Sequence, residues 1–584
     1  MYKGIIDHIE WERVHLTLSG TLTEIRSEEE KEDLIRLREF AIDVKNMDKY
    51  NYNKTRYPEW LKKIIGPSYD FEKPYFFLRT AYYASIYPID AELDQDGHFS
   101  IHFNITNFRD RKEIPNGQFQ ISVFHRGIDF ALVASADVAA SVFELSRPHI
   151  FNKNTECYVV SFSTTPNEMD PVLNLSSFRF KRKRKRPFDL KRIFRETRDT
   201  IIKFMIRRYY AVMYYLVPKR GKRILIATEA RGNLQGNLEA IYNGIIRRGL
   251  DKKFKILTSF RKAAGGHGSR ASWVKVITDV AISDIILIDD FAPFLNWLKL
   301  KPKNKLIQVW HAGVGFKSVG FCRFGGKGTP ALDLGHRQYT YAITASSVLK
   351  SVYSEVFGIE ESAVIPTGLP RIDELLQEGS QEAFVKEFYE EYPELENKKI
   401  ILFAPTFRGS GQRTAHYPYS LLDMKRIYDF CGDEYVFMFK MHPFIDEKPP
   451  IPDEYKDRII DFSAFPNVND LLRVTDLMIT DYSSVIYEYA LFRKPMLFFA
   501  FDKTEYAAAR GFHHDYDSFC PGKVCQTFDE METAIINRDF EVEKVDQFIR
   551  DYFDYLDADS TDRFIDWILL GGLDHTEQGA KNQN

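Results

Sequence analysis

Lys399-Ile400-Ile401-Leu402-Phe403 runs directly into Ala404-Pro405-Thr406-Phe407-Arg408-Gly409. Four consecutive apolar residues with no alternation describe a strand buried on both faces, as in a parallel sheet covered by helices on each side. The proline, glycine and polar residues that follow end the strand and begin a rim loop. The same unit recurs downstream at 435–440, 458–462, 477–480 and 496–500, with amphipathic stretches between. Upstream it recurs at 223–228, 254–258, 284–288, 305–310 and 341–345. Strands alternating with helices predict an α/β fold. Two sets of about five strands, joined near 370–395, predict twin Rossmann-type halves facing a cleft, at 222–370 and 371–584.

The region before them reads differently. Val14-His15-Leu16-Thr17-Leu18, His98-Phe99-Ser100-Ile101-His102-Phe103 and Phe119-Gln120-Ile121-Ser122-Val123-Phe124 alternate with period two, and turn residues such as Asp94-Gln95-Asp96-Gly97 and Pro115-Asn116-Gly117 separate them. A small β-sandwich over 1–178 is the economical expectation, with no catalytic cluster in it.

Between these regions, 179–221 is a charge anomaly. About eighteen basic residues stand against three acids from Arg179 to Arg223, starting with Lys181-Arg182-Lys183-Arg184-Lys185-Arg186-Pro187. Leu190, Phe194, Ile201, Met205, Tyr209, Val212 and Leu216 then follow at helical spacing, which puts them on one face with cations around it. Such a helix suits an anionic membrane surface, through residues 179–216. A linker helix packed on the next domain is the plainer alternative. Nucleic acid is a third, but no recognised nucleic-acid module is present.

The whole chain carries 80 basic and 83 acidic residues, so its overall charge does not mark it as a polyanion binder. The five cysteines, Cys157, Cys322, Cys431, Cys520 and Cys525, are odd in number and lack a CxxC pair, which suggests neither a zinc site nor a disulfide framework. The N-terminus does not resemble a signal peptide, and no stretch approaches roughly 18 apolar residues. A soluble or peripheral protein of the cytoplasm is expected.

The unusual residues fall after strands, where ligands sit in such sheets. These are Trp310-His311-Ala312-Gly313-Val314-Gly315-Phe316-Lys317, Thr406 and Arg408, Lys440-Met441-His442-Pro443, and Thr480-Asp481-Tyr482-Ser483-Ser484 with Glu488. Two histidines, cations, hydroxyls and a carboxylate on one rim suit phosphate chemistry. Arg408 and Lys440 could neutralise a diphosphate. Ser483 and Ser484 would open a helix whose dipole favours an anion. A histidine can take a proton from an attacking hydroxyl, and His311 sits in a glycine-containing loop that a substrate could approach. Each piece also has a plainer explanation: Trp-His as packing, His-Pro as a turn, Asp-Tyr-Ser-Ser as a helix cap. Their coincidence at strand ends favours a site. Gly368-Leu369-Pro370-Arg371 lies at the join, where Arg371 could reach the cleft or serve a hinge. The loop Thr228 to Asn237 could face acceptor or phosphate, or simply cap a helix. Asp289-Asp290 lacks a third ligand, so no metal site is expected.

Trp310-His311, Gly368-Leu369-Pro370-Arg371, Ala404-Pro405-Thr406-Phe407-Arg408, Met441-His442-Pro443 and Asp481-Tyr482-Ser483-Ser484 together resemble the CDP-glycerol glycerophosphotransferase family of teichoic acid polymerases, over about 222–540. The resemblance implies a GT-B-like fold, a peripheral enzyme on the cytoplasmic face of a bacterial membrane, and CMP as leaving product, with no cofactor. Ile9-Glu10-Trp11-Glu12-Arg13-Val14 and the 310–317 loop look like the ribitol-phosphate branch, whereas glycerol-type members usually have His-Gly-Thr-Pro after the tryptophan. The implied donor is CDP-ribitol, with CDP-glycerol as the alternative, and the implied acceptor is a lipid-linked polyol phosphate. A primase adding one unit, a sugar-nucleotide glycosyltransferase of the same fold, and a non-catalytic membrane-bound scaffold in polymer assembly are the other readings. Carried onto matching positions, the resemblance makes His311 the general base and has His442 hold and polarise the donor diphosphate with Lys440. Trp310, Ala312, Gly313, Arg371, Thr406, Arg408, Met441, Ser483, Ser484 and Glu488 then line the CDP-alcohol pocket.

Overall fold

The computed structural model describes residues 2–24, 70, 73–80, 85–125, 128–152, 155–165, 171–181, 189–261, 270–311, 313, 315–325, 329–332, 335–409 and 412–573. Ala312, one of the expected pocket residues, and the rest of the basic run after Lys181 (182–187) lie outside them. The chain forms two compact units, Met1–Pro187 with Gly320–Leu332, and Phe188–Val319 with Asp333–Asn584.

The first unit is built on the alternation seen in the sequence. Tyr2–Glu12 and His15–Glu24 pair antiparallel, with Ile9 opposite Leu18, and His98–Asn104 continues the sheet beside His15–Glu24. That sheet has five strands; a second has seven. Ile6, Leu16, Leu18 and Ile101 from one and Phe76, Leu78, Ile121, Val123 and Leu175 from the other belong to one buried cluster. The segment Gly320–Leu332 was expected in the first Rossmann half. It belongs here instead, with Phe324 stacked on Phe151 at 5.3 Å and the Asn152 amide donating to the Pro330 carbonyl at 3.1 Å.

In the second unit each Rossmann half has a six-stranded parallel sheet, one strand more than expected. In the first the spatial order is Lys255–Phe260, Arg223–Thr228, Ile285–Ile288, Lys305–Gln308, Tyr341–Ile343, Val364–Ile365. In the second it is Ile459–Asp461, Tyr435–Phe439, Lys399–Phe403, Leu477–Thr480, Met496–Phe499, Lys523–Cys525. Lys399–Phe403 therefore sits centrally, pairing with Tyr435–Phe439 on one side and Leu477–Thr480 on the other. Chain order reverses there, and the crevice that this opens beyond the strand ends is the ligand position of such sheets.

The C-terminal helices do not all stay with the second half. Val545, Phe548 and Ile549 pack with Leu402 and Met478, but Phe564, Ile565 and Ile568 pack with Ile224, Ile226 and Leu287 of the first. The chain thus crosses between halves a second time. The Asp373 carboxylate, beside the first crossing, accepts from the backbone N–H groups of Ser560 (3.0 Å) and Thr561 (2.7 Å) beside the second.

Helix Leu190–Leu216 belongs to this unit. Asp189 caps it, accepting from the Arg192 amide. Tyr210 and Tyr214 are its buried side, and the Tyr210 hydroxyl donates to Asn304 Oδ1 at 2.7 Å. Leu190, Phe194, Ile201, Met205, Tyr209, Val212 and Leu216, the apolar face expected from spacing, are all exposed. No helix among the described residues is long and apolar enough to cross a membrane.

Candidate active site

His311 follows the first half's Lys305–Gln308 strand. Its Nδ1 lies 2.8 Å from the Asp289 carbonyl oxygen. A carbonyl can only accept, so Nδ1 carries the proton and Nε2 keeps its lone pair. The backbone beside it is strained: Trp310 has φ of +50°, a conformation that costs a bulky residue about 1–3 kcal/mol. Three contacts hold it there. The Trp310 amide donates to Gln308 Oε1 (2.9 Å), Asn237 Nδ2 donates to the carbonyls of Val309 (2.7 Å) and Trp310 (3.0 Å), and the Trp310 ring packs on Phe357.

Arg371 holds the loop from the join between the halves. Its Nη1 donates to the His311 carbonyl at 2.6 Å, its Nη2 pairs with buried Glu488, and its own amide donates to Asn237 Oδ1 at 3.0 Å. Two residues placed in the donor pocket from sequence thus form an ion pair that ties the second half to the histidine loop. Further along, a Cβ on Gly313 would stand 2.1 Å from the Tyr487 ring, so only glycine fits this approach. The Ser318 amide donates to the Gly511 carbonyl, and the His513 amide to that of Phe316. His311, Arg231 and Arg371 line a cleft of about 960 Å³ between the halves. Arg231 also pairs with the buried Asp289 carboxylate at 3.0 Å.

On the second half, His442 is set the opposite way. Its Nδ1 accepts from the Phe444 amide at 3.2 Å, so the proton sits on Nε2. Burial, then the charges of Lys317 and Lys440, push its pKa down to about 4 and keep the ring neutral. Lys440 Nζ donates to the Ser463 carbonyl at 2.9 Å, and burial lowers its pKa. Met441 points its side chain into the core and offers the pocket only backbone.

Thr406 and Arg408 are occupied otherwise than expected. Asp481 Oδ1 accepts from the Thr406 amide (2.8 Å) and hydroxyl (2.9 Å). Arg408 donates to Asp502 through Nε (2.6 Å) and Nη2 (2.8 Å), and to Asp481 and the Thr406 carbonyl through Nη1 (both 2.8 Å). Burial opposes its charge, but Asp481 and Asp502 outweigh that and raise its pKa. The guanidinium is therefore a buried brace rather than an open phosphate fork. Ser483 and Ser484 are half-buried at the rim. The helix after them, Ile486–Ala490, has five residues, so the dipole argument loses most of its force. Sequence reading placed none of Asp289, Lys317 or Asp502 in the site, and put Asn237 only in a loop that could face acceptor or phosphate. Lys317 and Asp289 stood inside segments already singled out, whereas nothing local marks Asp502.

Two Rossmann-type halves, with His311 on one rim and His442 between Lys317 and Lys440 on the other, form an α/β fold of GT-B-like architecture. Residues 209–570 match the CDP-Glycerol:Poly(glycerophosphate) glycerophosphotransferase family, and the chain belongs to it. It is 41% identical to the teichoic acid ribitol-phosphate polymerase TarL of Staphylococcus aureus, over 65% of this chain and 67% of that protein. It is also 41% identical to the teichoic acid poly(ribitol-phosphate) polymerase of Bacillus spizizenii, over 61% of this chain and 58% of that one. A structure of the wall teichoic acid polymerase TagF superposes with a TM-score of 0.52 at 20% identity, covering 68% of this chain and 100% of that one, which supports the fold. The chain is an enzyme of teichoic acid biosynthesis.

Proposed function

We propose that the enzyme transfers ribitol phosphate from CDP-ribitol to the end of a lipid-linked teichoic acid chain, repeatedly, releasing CMP. The observation that carries the chemistry is the opposite protonation of the two histidines. His311 Nε2 takes the proton of the acceptor's terminal hydroxyl as that oxygen attacks the phosphorus bearing ribitol. The new P–O bond forms as the bond to the CMP oxygen breaks, and CMP leaves with the electron pair. His442 Nε2–H and Lys440 face the diphosphate and stabilise the charge that grows on it, so catalysis is positioning and electrostatics. Arg371 and Glu488 set the His311 loop, while Thr406 and Arg408 shape the pocket from behind. Ser483 and Ser484 offer hydroxyls, Trp310 and Gly313 contribute pocket wall, and Met441 contributes backbone alone. The likeness to ribitol-phosphate polymerases favours ribitol over glycerol.

The two sheets of the first unit form a small β-sandwich accessory domain in this reading. The exposed apolar face of Leu190–Leu216, rimmed by Lys191, Arg195, Arg198, Lys203 and Arg208, rests on anionic lipid at the cytoplasmic face of the membrane. CMP release from CDP-ribitol and CDP-glycerol, with a lipid-linked polyol phosphate primer, tests the assignment. Faster turnover of CDP-ribitol is expected. Preference for CDP-glycerol would overturn the donor, and release of no CMP would overturn the reaction.

A further inference from the structure

Among the described residues, the ammonium of Lys317 has no carboxylate or carbonyl within hydrogen-bonding or ion-pair distance. Lys317 is half-buried, and desolvating an ammonium without a counter-charge is costly. Burial pushes its pKa down to about 8; Asp481 opposes that, while Arg510 and Arg408 add to it. Asp481, whose carboxylate accepts from Thr406 and Arg408, makes no hydrogen bond or ion pair to it.

The backbone gives the lysine little freedom to escape. Lys317 bridges antiparallel to Phe512, and Ser318 and Phe316 on either side bond to Gly511 and His513. Phe316 is buried in a stack with Phe512, Tyr516 and Phe519. A loop rooted in the first half is thereby stitched onto the second. Lys317 acts electrostatically on His442, as does Lys440, so two ammonium groups and one neutral N–H donor share a neighbourhood. No described carboxylate bonds either ammonium. That is a cationic pocket assembled before its anion arrives.

We propose that Lys317 is a ligand of the donor's diphosphate, delivered to the second half's pocket by the loop that also carries His311. The proposal rests on the reading of the donor as a CDP-alcohol. It assigns the loop two tasks six residues apart: His311 faces the acceptor hydroxyl, and Lys317 neutralises the group being cleaved. A bound diphosphate then draws the His311 loop into register with the phosphorus.

The test is calorimetric binding of CDP to wild type, Lys317→Met and Lys317→Arg, with melting temperatures measured with and without CDP. An unpaired cation serving a ligand is a burden on the free protein. Lys317→Met should therefore melt no lower than wild type without ligand, lose at least tenfold in CDP affinity, and lose most of the stabilisation by CDP. Lys317→Arg should fall between the two. CDP affinity within twofold of wild type in Lys317→Met would overturn the proposal. So would a lowered melting temperature in the free variant with CDP binding intact, which marks a structural lysine. Wild type that binds CDP in this lysine-dependent way, yet releases no CMP from CDP-ribitol, would keep the lysine's assignment and overturn the transfer reaction. Wild type that does not bind CDP would overturn both.

Discussion

The two histidines differ in a single proton position, and that difference makes them separable by substitution. Glutamine can present an N–H where His442 presents Nε2–H, but it cannot act as the base that His311 Nε2 supplies. His442→Gln is expected to keep at least tenfold more kcat than His442→Ala, whereas His311→Gln and His311→Ala should be equally inactive, about 10³-fold down or more. Equal loss in both pairs would sink the tautomer argument. Arg408 tests a different claim. If it braces Asp481 and Asp502, Arg408→Ala leaves the buried Asp481 carboxylate unpaired beside the half-buried Asp502 and should cost roughly 3–5 kcal/mol in denaturant unfolding. A variant of wild-type stability that has lost only donor affinity would restore the phosphate-fork role. These residues also show what the sequence could carry. His311, His442 and Lys440 were readable because each follows an apolar strand at a rim. The engagement of Arg408 was not, because Asp502 lies 94 positions away and nothing near it signals a partner. Nor could the sequence reveal proton positions, which depend on the Asp289 carbonyl and the Phe444 amide.

At the scale of an element, Leu190–Leu216 joins two readings that the sequence left as alternatives. Tyr210 packs as a linker helix would, through its bond to Asn304, while the residues of the expected face stay exposed, Phe194 at 79% and Met205 at 63%. Spacing could define the face but not what it meets. Replacing Phe194, Ile201 and Met205 with Asp should lower binding to phosphatidylglycerol vesicles at least tenfold, leave the melting temperature within about 2 °C, and barely affect the weak binding to phosphatidylcholine. Unchanged sedimentation with anionic vesicles would remove this helix from membrane contact. The Gly313 contact is equally local. Gly313→Ala must displace the Tyr487 ring or the loop, and activity should fall at least tenfold with donor binding less affected, because the loop carries His311. Comparing kcat with the KM for CDP-ribitol checks this.

Across the whole molecule, two buried histidines and the half-buried His442 bias stability against acid. Burial, helped by Arg147 at the first, holds His149 and His336 to pKa values of about 4 and about 3, and His442 stands at about 4. In the unfolded chain each titrates near 6.5, so the unfolded state takes up protons first as pH falls. Stability should decline from pH 6.5 down to about 4, with His336 alone accounting for roughly 2 kcal/mol at pH 5. His336→Phe should flatten the pH dependence of urea unfolding between 7 and 5, and an unchanged slope would refute it. The twin α/β halves were legible because buried parallel strands leave a long apolar signature. The transfer of Gly320–Leu332 to the first unit was not, since its contacts are with Phe151 and Asn152, far back in the chain. The return of Phe564–Ile568 to the first half was equally hidden, a helical face being the same whichever sheet it covers. That return has a mechanical result. Two crossings held side by side by Asp373 are expected to confine any relative motion of the halves to a swing about that paired link. In the polymerase proposed above, such a swing would bring His311 back to one position at each addition.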